Sequence, residues 1–182
     1  MSGKKIVATA SLAGCFGCHM SILDVDLELL DLVQVIQFDR SPLTDIKRFS
    51  QRAHIGLIEG GVCNDENVHV LRNFRENCDI LISLGECAIM GGLPAMRNSF
   101  TVKECLEEAY LNLQTTVPGQ KIIPQHEDLP KILNKVHPLH DIVKIDYFLP
   151  GCPPSAKLIA AAVKGLVTGN LGSLPVELIK YD

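Results

Sequence analysis

An open, doubly wound α/β sheet is the fold class this sequence predicts, and two observations predict it. Short runs rich in Ile, Val and Leu alternate with amphipathic stretches, as in strands buried on both faces and connected by helices. The length, 182 residues, suits one domain with a substantial core, so residues 1–182 are expected to form a single unit.

The elements follow in order. Residues 5–11 read as the first strand. Met20, Leu23, Leu27 and Leu30 recur at helical spacing, which predicts a helix over 19–31 with these four on its apolar stripe. Strands are expected over 32–38 and 54–59. Asn64 is placed to cap a helix over 65–77, with Val68, Leu71 and Phe74 facing inward. A fourth strand spans 80–85. Residues 90–141 are less regular and read as an insertion in the C-terminal half, with a short helical piece near 102–113; a long insertion in a compact domain usually serves function or contact. A fifth strand over 142–149 leads to Pro153, Pro154 and a final helix that Gly169 ends.

Composition narrows the function. Apolar residues make up 47% and charged residues 21% of the chain, no run is long enough to cross a bilayer, and no membrane association is expected. The N-terminal stretch is too short and strand-like for a signal peptide and carries no twin-arginine pair, so a cytoplasmic location is expected. Against 21 acidic residues there are 17 basic ones, a net charge of −4, and they are scattered; nucleic acid is not an expected partner. Seven cysteines, an odd number in such a chain, point to metal or redox chemistry rather than a disulfide framework.

In an open parallel sheet, ligands bind beyond the carboxyl ends of the strands. Cys15 and Cys18 follow the first predicted strand, Cys87 the fourth and Cys152 the fifth. Glycines 14, 17, 85, 91, 92 and 151 flank them and let the backbone approach a bulky group. A cubane iron-sulfur cluster takes one thiolate per iron, which these four cysteines suit. The spelling CFGCH also leaves open haem attachment, a thioredoxin-like dithiol and, with the other two cysteines, a four-cysteine zinc site. Haem ordinarily needs export and a second axial ligand, and a dithiol has no use for Cys87 and Cys152. Cys78 and Cys105 read as ordinary packed thiols, while Cys63 shares the ligand edge. Glu59 closes the third strand on that edge and is a candidate proton relay or conditional oxygen ligand to iron. His19 is a candidate ligand or proton carrier, or a hydrogen-bond donor to sulfur.

Together LAGCFGCHMSILD, the glutamate of LIEGG, SLGECAIMGGLPAMRN and LPGCPPS resemble the small subunit of nickel-iron hydrogenases, above all the cytoplasmic NAD-reducing, bidirectional type. The resemblance covers nearly the whole chain and implies a flavodoxin-like fold. It implies one four-iron four-sulfur cluster on Cys15, Cys18, Cys87 and Cys152, proximal to a nickel-iron centre in a separate large subunit. The chain lacks the two C-x-x-C pairs typical of the nickel site, so it would hold no hydrogen-splitting site of its own. Its role would be to pass electrons, one at a time, to flavin- and iron-sulfur-containing diaphorase subunits that reduce NAD. The amides of Gly17, Cys18 and His19 are candidate donors to sulfur.

Membrane-bound relatives carry a cysteine-rich C-terminal domain for two further clusters, and the expectation here is a single-cluster chain without it. Gly17 and Gly92 stand where oxygen-tolerant relatives carry two extra cysteines. A quinone-reducing respiratory subunit shares the strand-end cysteines but has adjacent cysteines in its first motif. Hydrogenases with deazaflavin or sulfur as acceptor also remain open. An FMN-binding module is a different class that this fold permits, although no serine/threonine-rich phosphate loop follows the first strand.

Overall fold

In a computed structural model, which describes residues 3–115, 117, 119, 121–170 and 176–181, five strands form one parallel sheet. They are β1 (Lys5–Ser11), β2 (Ile36–Phe38), β3 (Ala53–Glu59), β5 (Cys78–Leu84) and β7 (Tyr147–Leu149), arranged β2-β1-β3-β5-β7. The chain leaves β1 toward one edge for β2, then returns to the other side of β1 for β3. That reversal makes the β1/β3 border the topological switch point, where α/β sheets bind their ligands.

Helices cover both faces. On one, α1 (Gly17–Leu23), α2 (Glu28–Val35) and α6 (Ala156–Thr168) pack on Val7, Ile55, Leu57, Ile82 and Leu84. On the other, α3 (Asp65–Asn77) sets Leu71 and Phe74 against Ile6, Ala8, Ile58 and Leu81. Strand alternation places Val7 on one face and Ile6 and Ala8 on the other, and both faces are apolar because both are covered.

The caps anticipated from sequence are present. The Asn64 side chain accepts from the Asn67 amide at 2.7 Å, and Gly169 takes the left-handed conformation that ends α6. Ser155, however, caps α6 by accepting from the Leu158 amide, and both prolines lie in the preceding loop.

Other expectations change. The helix over 19–31 is broken into α1 and α2 around Asp26, which sits at φ 56, a conformation that Asp tolerates better than most residues. The break rotates the buried face: Ile22, Val25 and Leu32 are inside, whereas Met20, Leu23, Leu27 and Leu30 are exposed. Residues 32–35 finish α2, so β2 is only three residues long, and residues 142–146 precede β7 without joining it.

The insertion contributes to a small antiparallel pair, β4 (Val62–Asn64) with β6 (Ile132–His137), which no local pattern in the sequence announces. Between them run α4 (Glu86–Met90), a 3-10 stretch over Leu93–Ser99, and α5 (Val102–Glu107) with a π-helical turn after it. Thr101 and Glu104 cap α5 reciprocally.

Cys78 is a core residue, fully buried at the amino end of β5; a Cβ on Gly56 would come 2.8 Å from its sulfur. Burial pushes its thiol from an ordinary value of 9.0 up to about 12. The folded chain therefore keeps a proton that the unfolded chain releases above pH 9, and stability falls as pH rises from 9 toward 12. Thermal unfolding across that range should show Cys78→Ala with a shallower loss than the parent.

Candidate metal centre at the carboxyl edge

Parallel alignment brings four loops to one place. Cys15 lies in the loop after β1, and Cys18 is the second residue of α1. Cys87 is the second residue of α4, directly after β5, and Cys152 lies between β7 and α6. Their side chains, with Glu59 and Glu86, line one cavity of about 70 Å³. Cys15 and Cys152 are at its exposed side, Cys18 and Cys87 deeper. Cys63 does not line it; its thiol donates to Asn67 Oδ1 at 3.3 Å. Cys105 is half-buried in α5.

The loops are tied together by backbone bonds. Ala13 and Gly61 exchange hydrogen bonds at 3.0 and 2.8 Å, and the Leu12 amide donates to the Glu59 carbonyl at 2.9 Å. On the other side the Gly85 amide donates to the Leu149 carbonyl at 2.8 Å, and the Glu86 amide to the Gly151 carbonyl at 3.2 Å. The Glu86 carboxylate completes this clamp: Oε1 accepts from the Gly151 amide at 2.9 Å, so one side chain joins the loop of Cys87 to the loop of Cys152. Its other oxygen is buried and has no hydrogen-bond partner among the described residues. Glu86 was not among the residues expected at the site, although its place beside Cys87 was a signal.

The donor set fits a thiolate-bound cluster. A Cβ on Gly85 would run into Cys18 Sγ, one on Gly92 would come 2.9 Å from Cys87 Sγ, and one on Gly17 3.1 Å from Cys15 Sγ. Gly85 and Gly92 also hold positive φ, 81 and 47, which only glycine adopts without strain. Three of the four sulfurs thus have a glycine against them. Among the described residues no three His, Cys, Asp or Glu groups are close enough to share a single metal ion. The four cysteines line one cavity together, and a cubane cluster takes one thiolate per iron.

Electrostatics explains why the thiols need such a partner. Burial, then the charge and hydrogen bonding of Glu59, push the Cys18 thiol well above its ordinary range, and Cys87 and Cys15 add to the effect. Burial also raises Cys87, helped by Cys152, Cys15 and Glu59 and opposed by a backbone hydrogen bond from Leu93. A cationic metal group would supply the charge that makes thiolates favourable here.

Glu59 and His19 are joined in one buried hydrogen-bonded pair. Glu59 is 2% exposed with both oxygens engaged: Oε1 meets His19 Nδ1 at 2.7 Å and Oε2 accepts from the Cys18 amide at 2.9 Å. Burial disfavours its charge, but His19, Ser11 and Cys18 outweigh burial and hold the carboxyl below its ordinary range. The Cys18 amide is therefore committed to Glu59 rather than to sulfur, and a backbone hydrogen bond from Leu93 reaches Cys87. His19 is fully buried and does not line the cavity. Its ring stacks on Phe16, with centroids 4.6 Å apart, and its Nε2 pairs with Thr9 Oγ1 at 2.8 Å. Both ring nitrogens are occupied, so His19 supports Glu59 from behind instead of facing the sulfurs.

This combination defines an α/β protein with a thiol-lined centre at its switch point. Residues 15–166 match the family described as NADH ubiquinone oxidoreductase, 20 Kd subunit. The NAD-reducing hydrogenase HoxS subunit delta of Cupriavidus necator is 52% identical over 181 residues, covering 99% of this chain and 87% of that protein. A subunit of the F420-non-reducing hydrogenase of Methanothermobacter thermautotrophicus is 37% identical over 177 residues, 96% of this chain but 57% of its own length. A crystal structure of an NAD+-reducing nickel-iron hydrogenase in the H2-reduced state superposes with a TM-score of 0.95 at 48% identity, over 99% of this chain and 100% of that one. The chain belongs to the NADH ubiquinone oxidoreductase 20 kDa subunit family, in its nickel-iron hydrogenase small-subunit branch, whose members bind iron-sulfur clusters.

Two substitutions test the cradle. Gly85→Ala, strained at positive φ and directed at Cys18 Sγ, should abolish iron retention while leaving the chain folded by circular dichroism. Glu86→Ala should lower stability by about 1–3 kcal/mol, the cost of a buried N–H left unpaired, and reduce the iron retained against a chelator. Glu86→Gln, which keeps an acceptor for the Gly151 amide, should restore both.

Proposed function

We propose that this chain is the electron-transfer small subunit of a soluble NAD-reducing nickel-iron hydrogenase. The observation that carries the reading is the convergence of Cys15, Cys18, Cys87 and Cys152 from strand ends on one glycine-lined cavity. These residues would hold one four-iron four-sulfur cluster, with residues 1–182 acting as one unit. Bound there, the cluster supplies one-electron chemistry between a nickel-iron centre in the large subunit and the diaphorase subunits that reduce NAD. A cytoplasmic location accords with this reading, and among the described residues no helix is long and apolar enough to cross a membrane.

The chain's own residues hold the ligands, shield them and place charge beside them. Cys18 and Cys87 sit inside, away from water, while Glu59 keeps a negative charge next to the sulfurs and disfavours an added electron. Gly17 and Gly92, each against a ligand sulfur, leave a plain four-cysteine set. Beyond Cys87, Leu93, Met96 and Phe100 expose 74%, 68% and 60% of their surface. These apolar side chains, so near a buried redox site, support docking of the large subunit on this face.

Anaerobic purification should yield about four irons and four sulfides per chain, as a cubane requires, with a one-electron paramagnetic signal on reduction. Cys87→Ala should keep expression, lose that signal and eliminate hydrogen-dependent NAD reduction in the complex. One zinc, a dithiol without metal, or normal turnover of the variant would overturn the assignment.

A further inference from the structure

Behind the cysteine cavity runs a continuous line of buried polar side chains. Glu59 Oε1 meets His19 Nδ1 at 2.7 Å, His19 Nε2 meets Thr9 Oγ1 at 2.8 Å, and Thr9 Oγ1 meets Ser41 Oγ at 2.7 Å. The Leu43 amide closes the line by donating to Ser41 Oγ at 3.1 Å. Glu59, His19, Thr9 and Ser41 are each 2% exposed or less. Four polar residues in series are more than core packing needs, because apolar groups of similar shape avoid the desolvation cost.

The two ends of the line differ. At one, Glu59 Oε2 holds the Cys18 amide at 2.9 Å. At the other, Ser41 sits in the loop after β2, anchored by the Ser41 amide to the Ile46 carbonyl at 3.1 Å. An ionised Glu59 requires His19 to donate from Nδ1, so only the Thr9 hydroxyl occupies the other ring nitrogen. Phe16 stacks on the imidazole and restricts its tilt. Stacked on Phe16 and bonded at both ring nitrogens, the imidazole is fixed at three places, and Thr9, held by Ser41, is one of them.

We propose that Thr9 and Ser41 are positioning residues for the metal centre, fixing through His19 the Glu59 carboxylate that holds the Cys18 amide away from sulfur. This inference rests on the reading of the cavity as an iron-sulfur site. Its consequence is a lowered reduction potential: a fixed carboxylate stands beside the sulfurs, and one N–H that could stabilise added charge is withheld. Freed from Thr9, the imidazole turns, Glu59 loosens its hold and the Cys18 amide becomes available to sulfur.

The test is a redox titration of the full chain, purified anaerobically, followed by the paramagnetic signal of the reduced form, with iron and sulfide measured on each sample. Thr9→Val, which keeps shape and removes the hydroxyl, should raise the reduced-to-oxidised ratio at the parent's midpoint about tenfold, a shift of about 59 mV for one electron. Ser41→Ala, farther from the ligands, should shift it the same way by less, and Thr9→Ser should restore the parent value. Unchanged or lowered potentials in loaded Thr9→Val and Ser41→Ala overturn the inference alone. If Thr9→Val does not retain iron, the sign of the Ser41→Ala shift decides. A parent chain without iron and sulfide removes the iron-sulfur reading and this inference with it.

Discussion

Parallel pairing of β1, β3, β5 and β7 sets four strand ends side by side at intervals of about 4.8 Å, and the rest of the site depends on that spacing. Each strand delivers one part: the Cys15–Cys18 loop, Glu59, Cys87 and Cys152. No single loop carries all four cysteines. Four loops leaving the same edge can surround a bulky group, provided their backbones approach closely, and the glycines against three of the sulfurs allow that approach.

Close approach leaves polar groups with little access to water, and the structure satisfies nearly all of them in pairs. The Ala13–Gly61 exchange closes one side of the cavity, and the Glu86 clamp on Gly151 closes the other. Two buried carboxylates thus stand beside four thiols, with different duties: Glu59 is tied to His19 and the Cys18 amide, whereas Glu86 is tied to backbone and has one oxygen with no partner among the described residues. Negative charge accumulated in this way makes the isolated site unfavourable for thiolates, and a cationic metal group bound there would relieve that repulsion.

The same construction divides the molecule's surface. Sheet faces are covered by helices and carry the core, so the carboxyl edge is where chemistry meets solvent. Around it the insertion is held to the body by β4 and β6 and by Arg97 and Asn98, whose side chains donate to the backbone of β6. Leu93, Met96 and Phe100 remain outside. A chain that packs its core with Ile, Val and Leu yet leaves large apolar side chains beside its cysteine-lined edge is shaped for assembly.

Local composition was enough to specify the sheet class, the strands at 5–11 and near 54–59 and 80–85, the Asn64 cap and the set of strand-end cysteines. Those features depend on short-range patterns and on the rule that ligands bind at carboxyl ends. The pairing of β4 with β6 was not legible, because it joins residues some seventy positions apart with no local pattern. Nor was the buried face of α1 and α2: the stripe at 20, 23, 27 and 30 assumed an unbroken helix, and the turn at Asp26 rotated Ile22, Val25 and Leu32 inward instead. The partner that each polar side chain finds emerged only once the chain was folded. His19 follows a candidate ligand in sequence yet turns its ring to Thr9 and Glu59, because hydrogen bonds between side chains depend on distances in space that spacing along a chain does not encode.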